Sequence, residues 1–185
     1  INGIPFQQRI IANQKTWLQH SELLLVCLKS WQVSDAVNAL IPHLSADCPI
    51  LLIHNGMGTL DELTLPETPT KRAILQGIIT HGAYQQDQKV LDTAEGITHI
   101  GPLNTTARQY GYLAEILHQA LPGVAWHNDI HTISWLKLAV NCVINPLTVF
   151  YQCRNGDLLK YPEHIQKVCD EVYQVMEREG VIPTS

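Results

Sequence analysis

Short apolar runs alternate with amphipathic stretches over the first two thirds of the chain. Leu23-Leu24-Leu25-Val26-Cys27-Leu28 is a continuous apolar run of strand length. Unbroken hydrophobicity predicts a strand covered on both faces, as in a parallel sheet. Val33, Ala36, Val37, Leu40 and Leu44 follow at helical spacing. Pro49 to Ile53 reads as a second strand, stopped by Asn55-Gly56-Met57-Gly58, with a short helix from Thr59 to Leu63. Ala73 to Thr80 reads as a third strand. Val90-Leu91 and Ile97 to Ile100, separated by turn residues including Gly96, predict a hairpin. A helix is expected from Thr106 to Leu121, ended by Pro122-Gly123, and a last short strand at Val124-Ala125-Trp126.

Strands alternating with helices predict an α/β sheet. From about Asp129 the strands stop. Ile133 to Tyr151 reads as one long apolar helix and Pro162 to Glu179 as a second. The change of pattern places a boundary near His127-Asn128-Asp129. Residues 1–128 then form an α/β unit and 129–185 the start of an all-helical one.

Composition narrows the function classes. The 185 residues carry a formal charge of −5 and are 45% hydrophobic. That is too apolar for a disordered chain, and the length suits one domain or two small ones. Mild acidity gives no electrostatic footprint for nucleic acid or an anionic membrane, and no apolar run in the sequence approaches the ~18 residues of a bilayer span. Five scattered cysteines without a C-x-x-C pair predict reduced thiols in a cytoplasmic setting, with no disulfide framework or zinc site. The chain opens at Ile1-Asn2-Gly3 and stops just past a helical pattern. An internal piece of a longer protein is therefore expected.

Candidate chemistry sits first at the strand ends. Lys29, His54-Asn55-Gly56-Met57-Gly58 and Thr80-His81-Gly82-Ala83 each follow an apolar run. Ligands of open α/β sheets bind outside the carboxyl ends of the strands. Any one such end is an ordinary polar stop; three in succession favour a site. In the long helix, Lys137, Asn141 and Asn145 recur at i, i+4, i+8 among apolar neighbours, which places them on one face. Asn is a poor helix former, and burying Asn or Lys unpaired costs roughly 2 kcal/mol or more. Two readings stand: a stripe facing a polar ligand in a cleft, or a narrow exposed stripe. Pro146 adds a kink that re-aims Asn145, or else starts a new helix. His127 and His131 are spaced i, i+4, but no carboxylate completes a metal pattern. No G-x-S-x-G elbow and no P-loop is present.

In combination, L-L-L-V-C-L-K at 23–29, I-L-L-I-H-N-G-M-G at 50–58 and W-L-K-L-A-V-N-C-V-I-N-P-L-T at 135–148 resemble the ketopantoate reductase (2-dehydropantoate 2-reductase) family. The resemblance runs from about Leu23 to Gly180. It implies a partial Rossmann-like domain, then the start of an all-α domain of the 6-phosphogluconate-dehydrogenase C-terminal type. It implies reduction of ketopantoate to pantoate with NADPH, on the route to pantothenate and coenzyme A. Lys137 matches the family's catalytic proton donor. Asn55, Asn141, Asn145 and Asn155 match its substrate-binding positions. Lys29, Asn55 and Ala83 match positions lining the NADP site. No metal is implied, the partner is the small-molecule substrate, and monomer and homodimer both stay open. The family's G-x-G-x-x-G phosphate loop and its basic residue for the 2′-phosphate are not found in these 185 residues. Nor are the later helices with a substrate-binding serine and a cofactor-side glutamate. Two alternatives remain beside the resemblance: a reductase of another branched 2-oxo acid, or a truncated, non-catalytic remnant or binding module.

Overall fold

The structure, a computed structural model, describes residues 12, 14–65, 72–87 and 89–183. Ile1 to Gly3, Thr184 and Ser185, on which the expectation of an internal piece partly rested, lie outside them. A short helix, α1 (Lys15–Leu18), precedes strand β1 (Leu24–Val26) and helix α2 (Ser30–Leu40). Then come β2 (Ile50–Ile53), β3 (Ile74–Ile79), β4 (Gly82–Gln86), β5 (Lys89–Ala94) and β6 (Thr98–Pro102). Helix α3 (Leu113–His118), strand β7 (Val124–Trp126), and helices α4 (Ile130–Tyr151) and α5 (Pro162–Arg178) complete the order.

Five strands form one sheet in the order β1-β2-β3-β6-β7. β1, β2 and β3 are mutually parallel, so all three end on the same side. β6 runs antiparallel to β3, with Ile79 opposite Thr98, and β7 is parallel to β6. The sheet is therefore mixed, where the apolar runs alone predicted a parallel one. Ile50, Leu51, Leu52, Ile74, Leu75 and Ile100 are fully buried at its centre. Val33 and Val37 bring α2 onto one face, and Ala107 and Leu113 cover the other. At roughly 1.5–3 kcal/mol for each fully buried aliphatic side chain, this core dominates the favourable side of folding.

Several sequence-based expectations need correction. Among the described residues β1 lies at one end of the strand order, and Leu25 is 47% exposed where a fully covered strand was expected. The predicted hairpin between Val90-Leu91 and Ile97 to Ile100 does not form. β5 instead pairs with β4 in a separate two-stranded ribbon, and β6 joins the main sheet. The helix expected from Thr106 to Leu121 is split into a 3-10 segment (Thr105–Tyr110) and α3. The break falls at Gly111, which packs beside the Trp126 ring, and glycine is a poor helix former. Asn104 caps the 3-10 segment by accepting from the Ala107 N–H at 3.1 Å.

α4 is a continuous helix of 22 residues through Pro146. The reading in which Pro146 begins a new helix is thus overturned. Asp129 starts α4, its side chain accepting from the N–H groups of His131 and Thr132. Among the described residues, α4 alone is long and apolar enough by length and composition to cross a bilayer, although no single run in the sequence suggested it. Its first half packs on the sheet: Ile130 is buried, and Ser134 Oγ lies 2.9 Å from Gln76 Oε1 on β3. Its second half packs against α5 and leaves Val149 and Phe150 exposed.

Candidate functional site

The carboxyl ends of β1, β2 and β3 open into a cavity of about 480 Å³. Lys29 and Ser30 reach it from the loop after β1, His54 and Asn55 from the loop after β2, and His81 from the segment after β3. Lys137 enters from α4, across the sheet. A second, narrow space of about 20 Å³ lies beside it between the Asn55–Met57 loop and α4, lined also by Gln76, Ser134 and Asn141. Lys137 lines both spaces, so it stands where they meet.

Local structure explains how each group is presented. Lys29 is the residue before the first turn of α2, and its backbone N–H donates to Gln32 Oε1 at 3.2 Å. The turn after β2 needs left-handed backbone at Gly56 (φ 102°) and Gly58 (φ 91°), which glycine adopts without steric cost. His54 steadies that turn, with Nε2 2.9 Å from Thr59 Oγ1. The Lys137 ammonium donates to the Ile79 carbonyl at the end of β3. Burial pushes its pKa below the ordinary lysine value, because a low-dielectric surrounding disfavours the charged form.

Lys137 also bears on a histidine pair behind it. His99 Nδ1 and His127 Nε2 are 2.9 Å apart. Burial first, then the charges of His127 and Lys137, lowers the His99 pKa. His131 Nε2 accepts from the Trp135 ring N–H at 3.1 Å. The i, i+4 spacing of His127 and His131 thus serves two unrelated contacts.

Of the residues singled out in the sequence, Lys29, Asn55, Lys137 and Asn141 are brought together. Asn145 and Asn155 are exposed and line neither space. Ala83 sits on the exposed ribbon opposite Asp92, away from the cavity wall. The stripe on α4 is therefore half cleft and half surface. Sequence reasoning missed Gln76 and Ser134. Their signal was a lone glutamine inside the strand Ile74-Leu75-Gln76-Gly77-Ile78-Ile79 and a serine three residues before the lysine.

The larger cavity carries Lys29 and Lys137, amide and hydroxyl donors from Asn55 and Ser30, and no carboxylate. A donor-rich, cationic hollow at strand ends fits the anionic and amide groups of a nicotinamide nucleotide, and its size is ordinary for a small-molecule site. The Lys137 ammonium also fits an oxygen that gains negative charge during a reaction.

Comparison with known proteins gives a consistent answer. A family model described as ketopantoate reductase PanE/ApbA matches residues 4–105, and one for the PanE/ApbA C terminal matches 129–185. The chain is 53% identical over 180 residues to a 2-dehydropantoate 2-reductase of Yersinia pestis, and 50% identical over 179 residues to one of Escherichia coli O157:H7. Each alignment covers 97% of this chain and 58% of the relative, so the chain spans little more than half of their length. A PanE/ApbA family ketopantoate reductase from Ralstonia eutropha JMP134 has the same fold at TM-score 0.72 and 23% identity, over 91% of this chain and 55% of that one. A D-mandelate dehydrogenase shares the fold at TM-score 0.74 and 18% identity, over 90% and 55%. With both family models matched in order along a Rossmann-like sheet followed by helices, the chain belongs to the ketopantoate reductase family.

Proposed function

We propose that the full-length protein reduces ketopantoate to pantoate with NADPH, in the cytoplasm, on the route to pantothenate and coenzyme A. One observation carries the reading: the Lys137 ammonium stands at the junction of two spaces, one lined by Lys29 and Asn55, the other by Asn55 and Asn141. In this reading residues 1–128 supply part of the NADP-binding domain and 129–185 the first helices of the catalytic domain. The matches of the two family models to 4–105 and 129–185 support that division.

The cofactor, when bound, supplies a hydride to the carbonyl carbon. The chain's own residues do the rest. Lys29 and Asn55 hold the cofactor side of the cavity. Asn55 and Asn141 offer hydrogen bonds to the substrate from opposite walls, with Asn145 and Asn155 further out. Lys137 Nζ stabilises the negative charge that develops on the ketone oxygen and delivers a proton to it. Its lowered pKa brings that proton closer to neutral pH.

The test follows NADPH oxidation by the full-length protein with ketopantoate. Lys137→Ala is expected to lower turnover by about 10²–10⁴-fold. A panel of branched 2-oxo acids is expected to give ketopantoate the highest kcat/KM. A Lys137→Ala enzyme at wild-type rate, or a full-length protein inactive on every 2-oxo acid, rejects the proposal.

A further inference from the structure

The place of the Lys137 ammonium depends on the Ile79 carbonyl that it donates to. Ile79 is the last residue of β3, and the β3–β6 ladder ends there, opposite Thr98. Something beyond the ladder must hold that carbonyl, and the next residues provide it. The Thr80 N–H donates to the Ile97 carbonyl at 3.0 Å. Thr80 Oγ1 also donates to that carbonyl at 3.0 Å and accepts from the Ile97 N–H at 2.8 Å. One step on, the Gly96 N–H donates to His81 Nδ1 at 3.2 Å.

This second contact has two consequences. An accepting Nδ1 fixes the neutral His81 ring as the tautomer with its proton on Nε2. It also requires the two backbones to meet closely. A Cβ on residue 96 would stand 2.5 Å from both His81 N and the Thr80 carbonyl carbon. Both neighbours are backbone atoms, so no side-chain movement relieves the clash, and glycine is required by the approach itself.

Thr80 is exposed and lines neither space of the cleft. Its hydroxyl is engaged with the Ile97 backbone, and it spans the end of the strand that holds the lysine. We propose that Thr80, with the His81–Gly96 contact beside it, is a positioning residue for Lys137. The clasp fixes the Ile79 carbonyl, that carbonyl takes one proton of the ammonium, and the other two are left for the cleft. Reaction geometry is sensitive to sub-ångström placement of such a group, so a hydroxyl outside the cleft acts on the chemistry through the strand end. The proposal rests on the reading of Lys137 as proton donor.

The experiment compares Thr80→Val, Thr80→Ser and Lys137→Ala in the full-length protein, with ketopantoate and NADPH. Valine keeps the shape and removes the hydroxyl; serine keeps the hydroxyl. Thr80→Val is expected to lower kcat about tenfold, with KM for ketopantoate changed less than about twofold, and to displace the basic limb of the pH–rate profile. Thr80→Ser is expected to restore both kcat and the limb. Wild-type kcat and pH profile in Thr80→Val, with Lys137→Ala inactive, overturn the clasp and leave the lysine's role standing. Equal losses in the valine and serine variants also overturn it, because the hydroxyl is then not responsible. Should Thr80→Val not fold, Thr80→Ala decides by the same readouts. Full activity in Lys137→Ala removes the basis of both readings.

Discussion

Within these 185 residues the sheet and the helical end bury their apolar side chains unequally. Around Ile50 to Leu52 and Ile74 to Leu75 every apolar side chain is fully buried between layers. Along α4 only Ile130, Ser134 and Leu147 are buried, and along α5 only Met176. Phe150 and Val149 are 74% and 68% exposed. The site straddles this difference. Lys137 and Asn141 stand on the half of α4 that is anchored to the sheet by Ser134 and Gln76. Asn145 and Asn155 stand where the packing is thin.

The strongest test of that contrast is stability. Leu52→Ala, in the fully buried strand, is expected to cost about 2–5 kcal/mol, whereas Phe150→Ala, on the open face, should stay within about 0.5 kcal/mol. Urea unfolding of the 185-residue chain, in which Phe150 is 74% exposed, measures both. Equal losses would erase the contrast. A second, smaller effect concerns the asparagine stripe. Asn141→Ala should raise KM for ketopantoate about tenfold, near the 1.4 kcal/mol of one lost hydrogen bond, and Asn145→Ala should raise it less. The reverse order would mean that the exposed half of α4 holds the substrate more firmly than the anchored half.

The gentlest probe is pH. Lys137 has its folded pKa lowered by burial. Its proton-donating form is therefore complete below that lowered value and lost as pH rises through it. The basic limb of kcat should fall below the ordinary lysine range near 10.4. The stability term has the matching sign: the cost of burying the charge is present at lower pH and relieved as pH rises between the folded and unfolded values. A limb at or above the ordinary range would separate Lys137 from the chemistry.

Much of this was legible in the chain itself. The three strand ends came from local pattern, and so did the placing of Lys137 and Asn141 on one helix face, although that pattern left a cleft and an exposed stripe both open. Where the reading failed, a non-local contact decided. Nothing near Val90 announces that its partner lies at Gln85, before the turn, in place of the residues after Gly96. Gln76 gained meaning only when α4 laid Ser134 beside it.

The β4–β5 ribbon has a consequence of its own. Every described residue from Ala83 to Ala94 is exposed, and the chain turns at Asp87 in a left-handed conformation. The ribbon leaves the sheet after β3 and returns as the antiparallel β6, so it is joined to the sheet at its base. Lengthening or trimming its tip leaves the seam at Thr80 and Ile97 untouched, which makes the tip a natural place for insertions and sequence drift among relatives.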